Sequence, residues 1–162
     1  MGSEIDFLEI FRRHGAAERT LEIDKIMATI SDHPVWEVWP YLRFEGREAV
    51  RAWYERQIIH YYPYTSNTRS LNQWCVGKTV IAEAEFVYTP PGSKDLIGRA
   101  VAIFSFDDNR CSKERIYFTG SAFPTLFWHA YSQDRTISKI KGISIFSTPP
   151  LQDHQSYPKL TR

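Results

Sequence analysis

Four side chains of this 162-residue chain have the chemistry to move a proton or hold a developing negative charge: Glu37, His14, Tyr54 and Glu114. Glu37 stands between Trp36 and Trp39 in VWEVWP. A carboxylate set among indoles loses water, which disfavours its charged form and moves its pKa up toward the range useful to a general acid or base. The alternative is that strand alternation turns Glu37 to solvent, or that an arginine neutralises it. His14 lies one helical turn before Glu18, a spacing that either fixes its tautomer and makes it a donor or base, or leaves a weak surface pair. Tyr54 either donates to these groups or seals the core. Glu114 opens the strand segment ERIYFT, where alternation separates Glu114, Ile116 and Phe118 from Arg115, Tyr117 and Thr119. If the first set lines a pocket, Glu37 and Glu114 form an acid and base pair. If the second set does, Arg115 and Tyr117 bind an anion or carbonyl. A single bulge reverses the faces, so the sequence leaves both open.

The elements that must hold these groups follow from periodicity. Ile5, Leu8, Ile10 and Phe11 recur at helical spacing over residues 5–18, and Leu21, Ile23, Ile26, Met27 and Ile30 mark a second helix behind a capping Thr20. Residues 35–39 read as a short aromatic strand, broken at Pro40. Gly46 precedes a third helix in which Val50, Trp53, Ile58 and Tyr61 face inward, stopped by Pro63. After Tyr64 the period becomes two. Strands are predicted over 67–76, 79–88, 97–106 and 112–119, separated by Gly77-Lys78, Pro90-Pro91-Gly92-Ser93 and Asp107-Asp108-Asn109. A last short helix is predicted over 121–132, with a tail after Gln133 in which 143–147 form an edge strand or belong to a disordered arm. Helices first and antiparallel strands second make an α+β domain with helices packed on one face of a curved sheet. The domain spans residues 1–133 and the tail 134–162.

Composition narrows the function. Lys plus Arg (20) nearly balances Asp plus Glu (19), so no global field draws the chain to nucleic acid or an anionic membrane. No apolar run approaches the roughly 18 residues of a membrane span, and the acidic start MGSEIDFLEI is unlike a signal peptide, so the chain is expected to be cytoplasmic. Cys75 and Cys111 have no CxxC spacing and are expected to be buried free thiols. The five histidines lack HxH, HxxxH or HExxH spacing, and no phosphate-binding glycine loop occurs, so neither a metal nor a cofactor is expected. Aromatic residues make up 15% of the chain and several stand in polar neighbourhoods, which suggests a cavity or an interface as well as a core. Ala82 and Ala84 share one strand face, as do Gly98, Ala100 and Ala102. If these faces coincide, the sheet floor is shallow there and either leaves a void walled by Phe86, Phe104 and Phe106 or lets a helix sit close. Trp36, Trp39, Trp53, Phe86, Ala102, Phe104, Tyr117 and Phe118 are the expected substrate contacts. Arg99 is expected to pair across strands with Glu83 or Glu85 rather than to reach a ligand.

The order of elements, with RRHGAAERTLEIDKIMATIS, VWEVWPYLRFEGREAVRAWY, IGRAVAIFSF and ERIYFTG, resembles the nuclear-transport-factor-2-like superfamily and, within it, SnoaL-like polyketide cyclases and ketosteroid isomerases. The resemblance covers about residues 5–130. It implies a cone of N-terminal helices closed over a bent sheet around an apolar pocket, often in a homodimer. It also implies that Glu37 occupies the place of the isomerases' carboxylate base, His14 that of their oxyanion-stabilising tyrosine, and Tyr54 that of a supporting tyrosine. Ala102 stands where the isomerases have a protonated aspartic acid, and Thr119 where the cyclases commonly have an aspartate. The expected activity is cofactor-independent acid/base chemistry on a small apolar oxygenated substrate: isomerisation, cyclisation, dehydration or epoxide opening. A non-catalytic binding or dimerisation module of the same fold is the alternative.

Overall fold

The computed structural model describes residues 6–92, 94–119 and 139–145. The chain starts with α1 (Phe7–Thr20), whose N-terminus is capped by Asp6: the carboxylate accepts from the amides of Leu8 and Glu9. Leu21 ends it in the left-handed conformation at φ 57°, which puts this leucine outside on the surface rather than in the stripe of the next helix. That helix, α2 (Ile23–Ala28), is a turn shorter than its hydrophobic pattern suggests, because Ile30 already belongs to β1 (Ile30–Trp39). A turn in which the Tyr41 amide donates to the Val38 carbonyl leads into β2 (Leu42–Glu45), a strand that the short run LRFE did not announce. Gly46, at φ 92°, then swings the chain into α3 (Arg47–His60). The Arg47 guanidinium donates to the carbonyls of Met27, Ile30 and Ser31, so the first turn of α3 ties down the end of α2 and the start of β1.

A 3-10 turn at Tyr62–Tyr64 leads into an antiparallel meander: β3 (Thr65–Val76), β4 (Thr79–Tyr88), β5 (Leu96–Asp107) and β6 (Arg110–Thr119). With β7 (Ile143–Ile145) on β2, the sheet runs β3-β4-β5-β6-β1-β2-β7. All pairings are antiparallel except that of β1 with β6, which is parallel. The result is an α+β cone, with N-terminal helices packed on one face of a curved, open sheet. The predicted helix over 121–132 and most of the tail lie outside the described residues.

Between the helices and the sheet lies a core that includes Ile26, Ile30, Trp36, Leu42, Phe44, Val50, Tyr54, Tyr88 and Phe106. Sealing a side chain such as Leu42 or Phe44 contributes about 1.5–3 kcal/mol. Cys111 is buried, but Cys75 is exposed on β3, contrary to expectation, because that strand is solvent-covered along nearly its whole length. Near β3 the core opens. Ala82 faces Ala102, Ala84 faces Ala100 and Phe86 faces Gly98 across β4 and β5, so small residues meet small residues and the floor sinks. Among the described residues no helix is long and apolar enough to cross a membrane.

Candidate functional site

α1 lays Ile10, His14 and Glu18 in one stripe, each four residues from the next. Ile10 and His14 are buried, and Glu18 emerges where the stripe reaches the sunken floor. From α3, Trp53, Gln57 and Tyr61 repeat the same spacing, and Tyr54 points beside them toward α1. β6 supplies Glu114, Ile116 and Phe118. The alternation left open by the sequence is decided by an irregularity at the β5–β6 pairing. Ser105 pairs with Lys113 but Phe106 pairs with Cys111, so Ser112 is taken up as an extra residue. Glu114 therefore faces inward and Lys113, Arg115 and Tyr117 face out.

These elements line a half-open cavity of about 280 Å³. Its walls are Trp53, Tyr54, Tyr61, Tyr62, Ile116, Phe86 and Phe118, its floor is Ala84, Ala100 and Ala102, and its polar groups are Glu18, Gln57, Thr65, Thr68 and Glu114.

Two carboxyl groups thus share one apolar hollow, and their surroundings push them apart. Burial raises the Glu18 carboxyl, but the charge and hydrogen bond of His14 and a hydrogen bond from Tyr54 outweigh it and hold Glu18 below the ordinary carboxylate range. Burial raises Glu114 as well, the nearby Glu18 charge raises it further, and only a hydrogen bond with Trp36 pulls back, so Glu114 lies well above the ordinary range. Glu18 is thereby biased toward its carboxylate form and Glu114 toward its protonated form. A pair of carboxyls divided in this way is the pattern of an acid and a base working side by side.

The protons around Glu18 can be traced. The Thr29 hydroxyl donates to the Ile26 carbonyl at 2.6 Å, so its oxygen accepts from Nδ1 of His14 at 2.7 Å. That leaves Nε2 toward Tyr54 at 3.2 Å and toward Glu18 Oε1 at 3.4 Å. The Tyr54 hydroxyl donates to Glu18 Oε1 at 2.9 Å and accepts from the Trp36 indole N–H at 3.3 Å. Burial first, then the charges of Glu18 and Glu114, raise the Tyr54 phenol well above its ordinary value and keep it a neutral donor. Every contact to Glu18 falls on Oε1; Oε2 has no hydrogen-bond partner among the described residues.

Glu37 is not part of this site, which corrects the central expectation from the sequence. Trp36 and Val38 take the inner face of β1, so Glu37 takes the outer one. There the register sets Arg43 of β2 and Arg115 of β6 on either side of it. Both guanidinium groups bond it at 2.7 Å and the Lys113 ammonium lies 3.6 Å away. Burial would raise its carboxyl, but the Arg115 bond, the Lys113 and Arg115 charges and the Arg43 bond together hold it below the ordinary range. A carboxylate so paired is a poor base at neutral pH. Trp39 is half exposed on the same outer side and Tyr117 also faces outward, so neither contacts the cavity. Trp36 and Phe104 are buried behind its wall, against His14, rather than lining it. Trp53, Phe86, Ala102 and Phe118 do line it, and His14, Tyr54 and Glu114 are brought together around Glu18. Arg99 pairs with Glu85 at 3.1 Å, directly across β4 and β5. Glu18, Gln57, Thr65 and Thr68 also line the cavity, and none of them is among the expected contacts. For the first two the signal was present in the four-residue spacing from His14 to Glu18 and from Trp53 through Gln57 to Tyr61.

A family model described as "SnoaL-like domain" matches residues 8–114. The chain belongs to the SnoaL-like domain family. Its fold is shared with a putative SnoaL-like polyketide cyclase from Jannaschia sp. CCS1, at TM-score 0.62 and 14% identity, over 80% of this chain and 97% of that one. It is shared with SalBIII, an epoxide hydrolase/cyclase-like enzyme described in pyran ring formation in polyether salinomycin, at TM-score 0.60 and 16% identity, over 70% and 90% of the two chains. An epoxide hydrolase of the LEH-like type from M. tuberculosis follows at TM-score 0.55 and 16% identity, over 78% and 86%. A sequence search of curated proteins found no match. At these identities the likeness is one of fold, and the chemistry of this SnoaL-like chain has to be argued from its own cavity.

Proposed function

We propose that this SnoaL-like protein is an acid/base enzyme acting on a small apolar oxygenated substrate without a cofactor, with Glu114 as the acid and Glu18 as the base. The observation that carries the reading is that two carboxyls, Glu18 and Glu114, line one cavity and are pushed in opposite directions, Glu18 down by His14 and Tyr54 and Glu114 up by burial and the Glu18 charge. Glu114 gives its proton to an oxygen of the substrate as a C–O bond breaks or a carbonyl is enolised, and Glu18 takes a proton from carbon or from an attacking water. The two carboxyls then return to their starting states by exchange with solvent. His14 and Tyr54 steady the Glu18 charge, and the aromatic walls exclude water, which strengthens both proton transfers. Isomerisation, cyclisation, dehydration and epoxide opening all use this pair of steps. The fold relatives that are cyclases and epoxide hydrolases support the same class.

The test is a panel of monocyclic and bicyclic epoxides, tertiary alcohols and β,γ-enones, with products followed by gas chromatography. Turnover of one member is expected, falling about 10²-fold or more in Glu114→Gln. Ligands that bind but remain unchanged would favour the alternative, a binding module, for which the donorless Ala102 on the cavity floor speaks.

A further inference from the structure

The charge of the cavity carries an inference about what enters it. Its lining holds two carboxyl groups and six aromatic side chains, Trp53, Tyr54, Tyr61, Tyr62, Phe86 and Phe118. Among the described residues that line it there is no lysine, arginine or histidine. His14, whose Nε2 lies 3.4 Å from the Glu18 carboxylate, is 1% exposed and lies behind Tyr54, whereas a quarter of the Glu18 side chain is open; Arg19, whose charge also reaches Glu18, is exposed and not part of the lining. An entering molecule therefore meets the carboxylate and not the imidazole. Oε1 is committed to Tyr54 and His14, Oε2 has no hydrogen-bond partner among the described residues, and Glu18 lines the hollow. Glu114, 6% exposed, adds a second oxygen pair with a single indole donor nearby.

We propose that the ligand of this cavity carries a protonated amine, held among Tyr61, Tyr62 and Trp53 in the field of the Glu18 charge without occupying the oxygen that acts as base, and that anionic ligands are rejected. The proposal rests on the cavity assigned above as the active site and adds the charge of its substrate. Aromatic faces attract an ammonium through their negative quadrupole, and the Glu18 charge adds a Coulomb attraction to it. A carboxylate in the same position faces the Glu18 charge with no cation to receive it. Three groups around the cavity feel the negative field: Tyr61 is pushed up to about 12, chiefly by burial and further by Glu18, and Tyr54 and Cys111 are raised by burial and then by both carboxyls. At about 280 Å³ the space suits a compact skeleton of one to three rings with one basic nitrogen.

The experiment is calorimetric titration of the full chain with three cage compounds of one shape: 1-aminoadamantane, 1-adamantanol and adamantane-1-carboxylate. The expected order is amine, then alcohol, then carboxylate, with the amine about tenfold or more tighter than the alcohol. In Glu18→Gln the amine advantage is expected to vanish while alcohol affinity stays within about threefold. Equal binding of amine and alcohol, binding of the carboxylate as tight as that of the amine, no detectable binding of the amine, or an advantage that survives Glu18→Gln would each overturn the proposal. If Glu18→Gln fails to fold, the order measured on the unaltered protein decides alone. None of these results bears on whether Glu114→Gln abolishes turnover, so the acid/base reading stands or falls separately.

Discussion

Glu37 and Glu114 are 7% and 6% exposed and stand on paired strands, one register step apart, with Trp36 opposite Glu114 and Glu37 opposite Arg115. They titrate in opposite directions. On the outer face of the sheet one carboxylate is gripped by Arg43, Arg115 and Lys113. On the inner face two carboxyls share a hollow whose lining, among the described residues, includes no arginine or lysine. The two groups are equally screened from contact with solvent and burial raises both, but Glu114 lies deep in the fold while Glu37 lies just under the outer face, so depth and partners together decide the outcome. A carboxyl hidden from water is therefore no acid catalyst until its neighbours are known.

The sharpest break of that comparison is Glu114→Gln. Turnover of any substrate found in the panel is expected to fall about 10²-fold or more. Stability moves the other way. Because the folded pKa of Glu114 is raised, ionising it opposes folding, and stability is lost as pH rises from the unfolded value of about 4.3 through the folded one. Glutamine removes that loss, so at about pH 8 the variant is expected to unfold at higher urea than the unaltered chain, with the difference disappearing at about pH 4.

Glu37→Gln should give the mirror image. Turnover is expected to stay within about threefold, while stability at neutral pH falls by about 1–2 kcal/mol in urea titrations, since three half-exposed cations lose their common partner. The lowered pKa of Glu37 means that its contribution is present above about pH 4.3 and lost as pH falls through the folded value. The gap between this variant and the parent should therefore close in acid. A stability unchanged at neutral pH, with turnover lost, would reverse the assignment of the two faces.

A smaller effect is expected at Thr29. Thr29→Val removes the acceptor of His14 Nδ1 and should lower turnover about tenfold and move the Nδ1 signal in nitrogen NMR spectra of His14, with Thr29→Ser restoring both. The smallest belongs to the outer face again. Trp39→Ala, at a side chain 52% exposed, should leave turnover unchanged and stability within about 0.5 kcal/mol.

Much of the architecture was legible in the residues. The change from helical to strand period after Tyr64 placed the meander within a few residues, and the small residues of two strands placed the sunken floor, because side-chain volume and backbone period act locally. The shortened α2 and the strand β2 were not legible, because the end of a short apolar run depends on what it packs against. Of the candidate site, His14, Tyr54, Glu114 and several wall residues could be named from the chain, and Glu18 could be named only as the neighbour of His14.

Two decisions belonged to the tertiary structure. Ser112 is absorbed as an extra residue in β6, which turns Glu114 inward, and nothing in KERIYF distinguishes that register from its reverse. The parallel docking of β6 against β1 then brings Arg115 beside Glu37, across seventy-eight residues of chain. The types and spacing of side chains along the chain determined which groups were able to do chemistry. Which of them lost their countercharges was settled by pairing between distant strands, because an ionisable group is tuned by neighbours a few ångströms away in space, wherever they fall in the sequence.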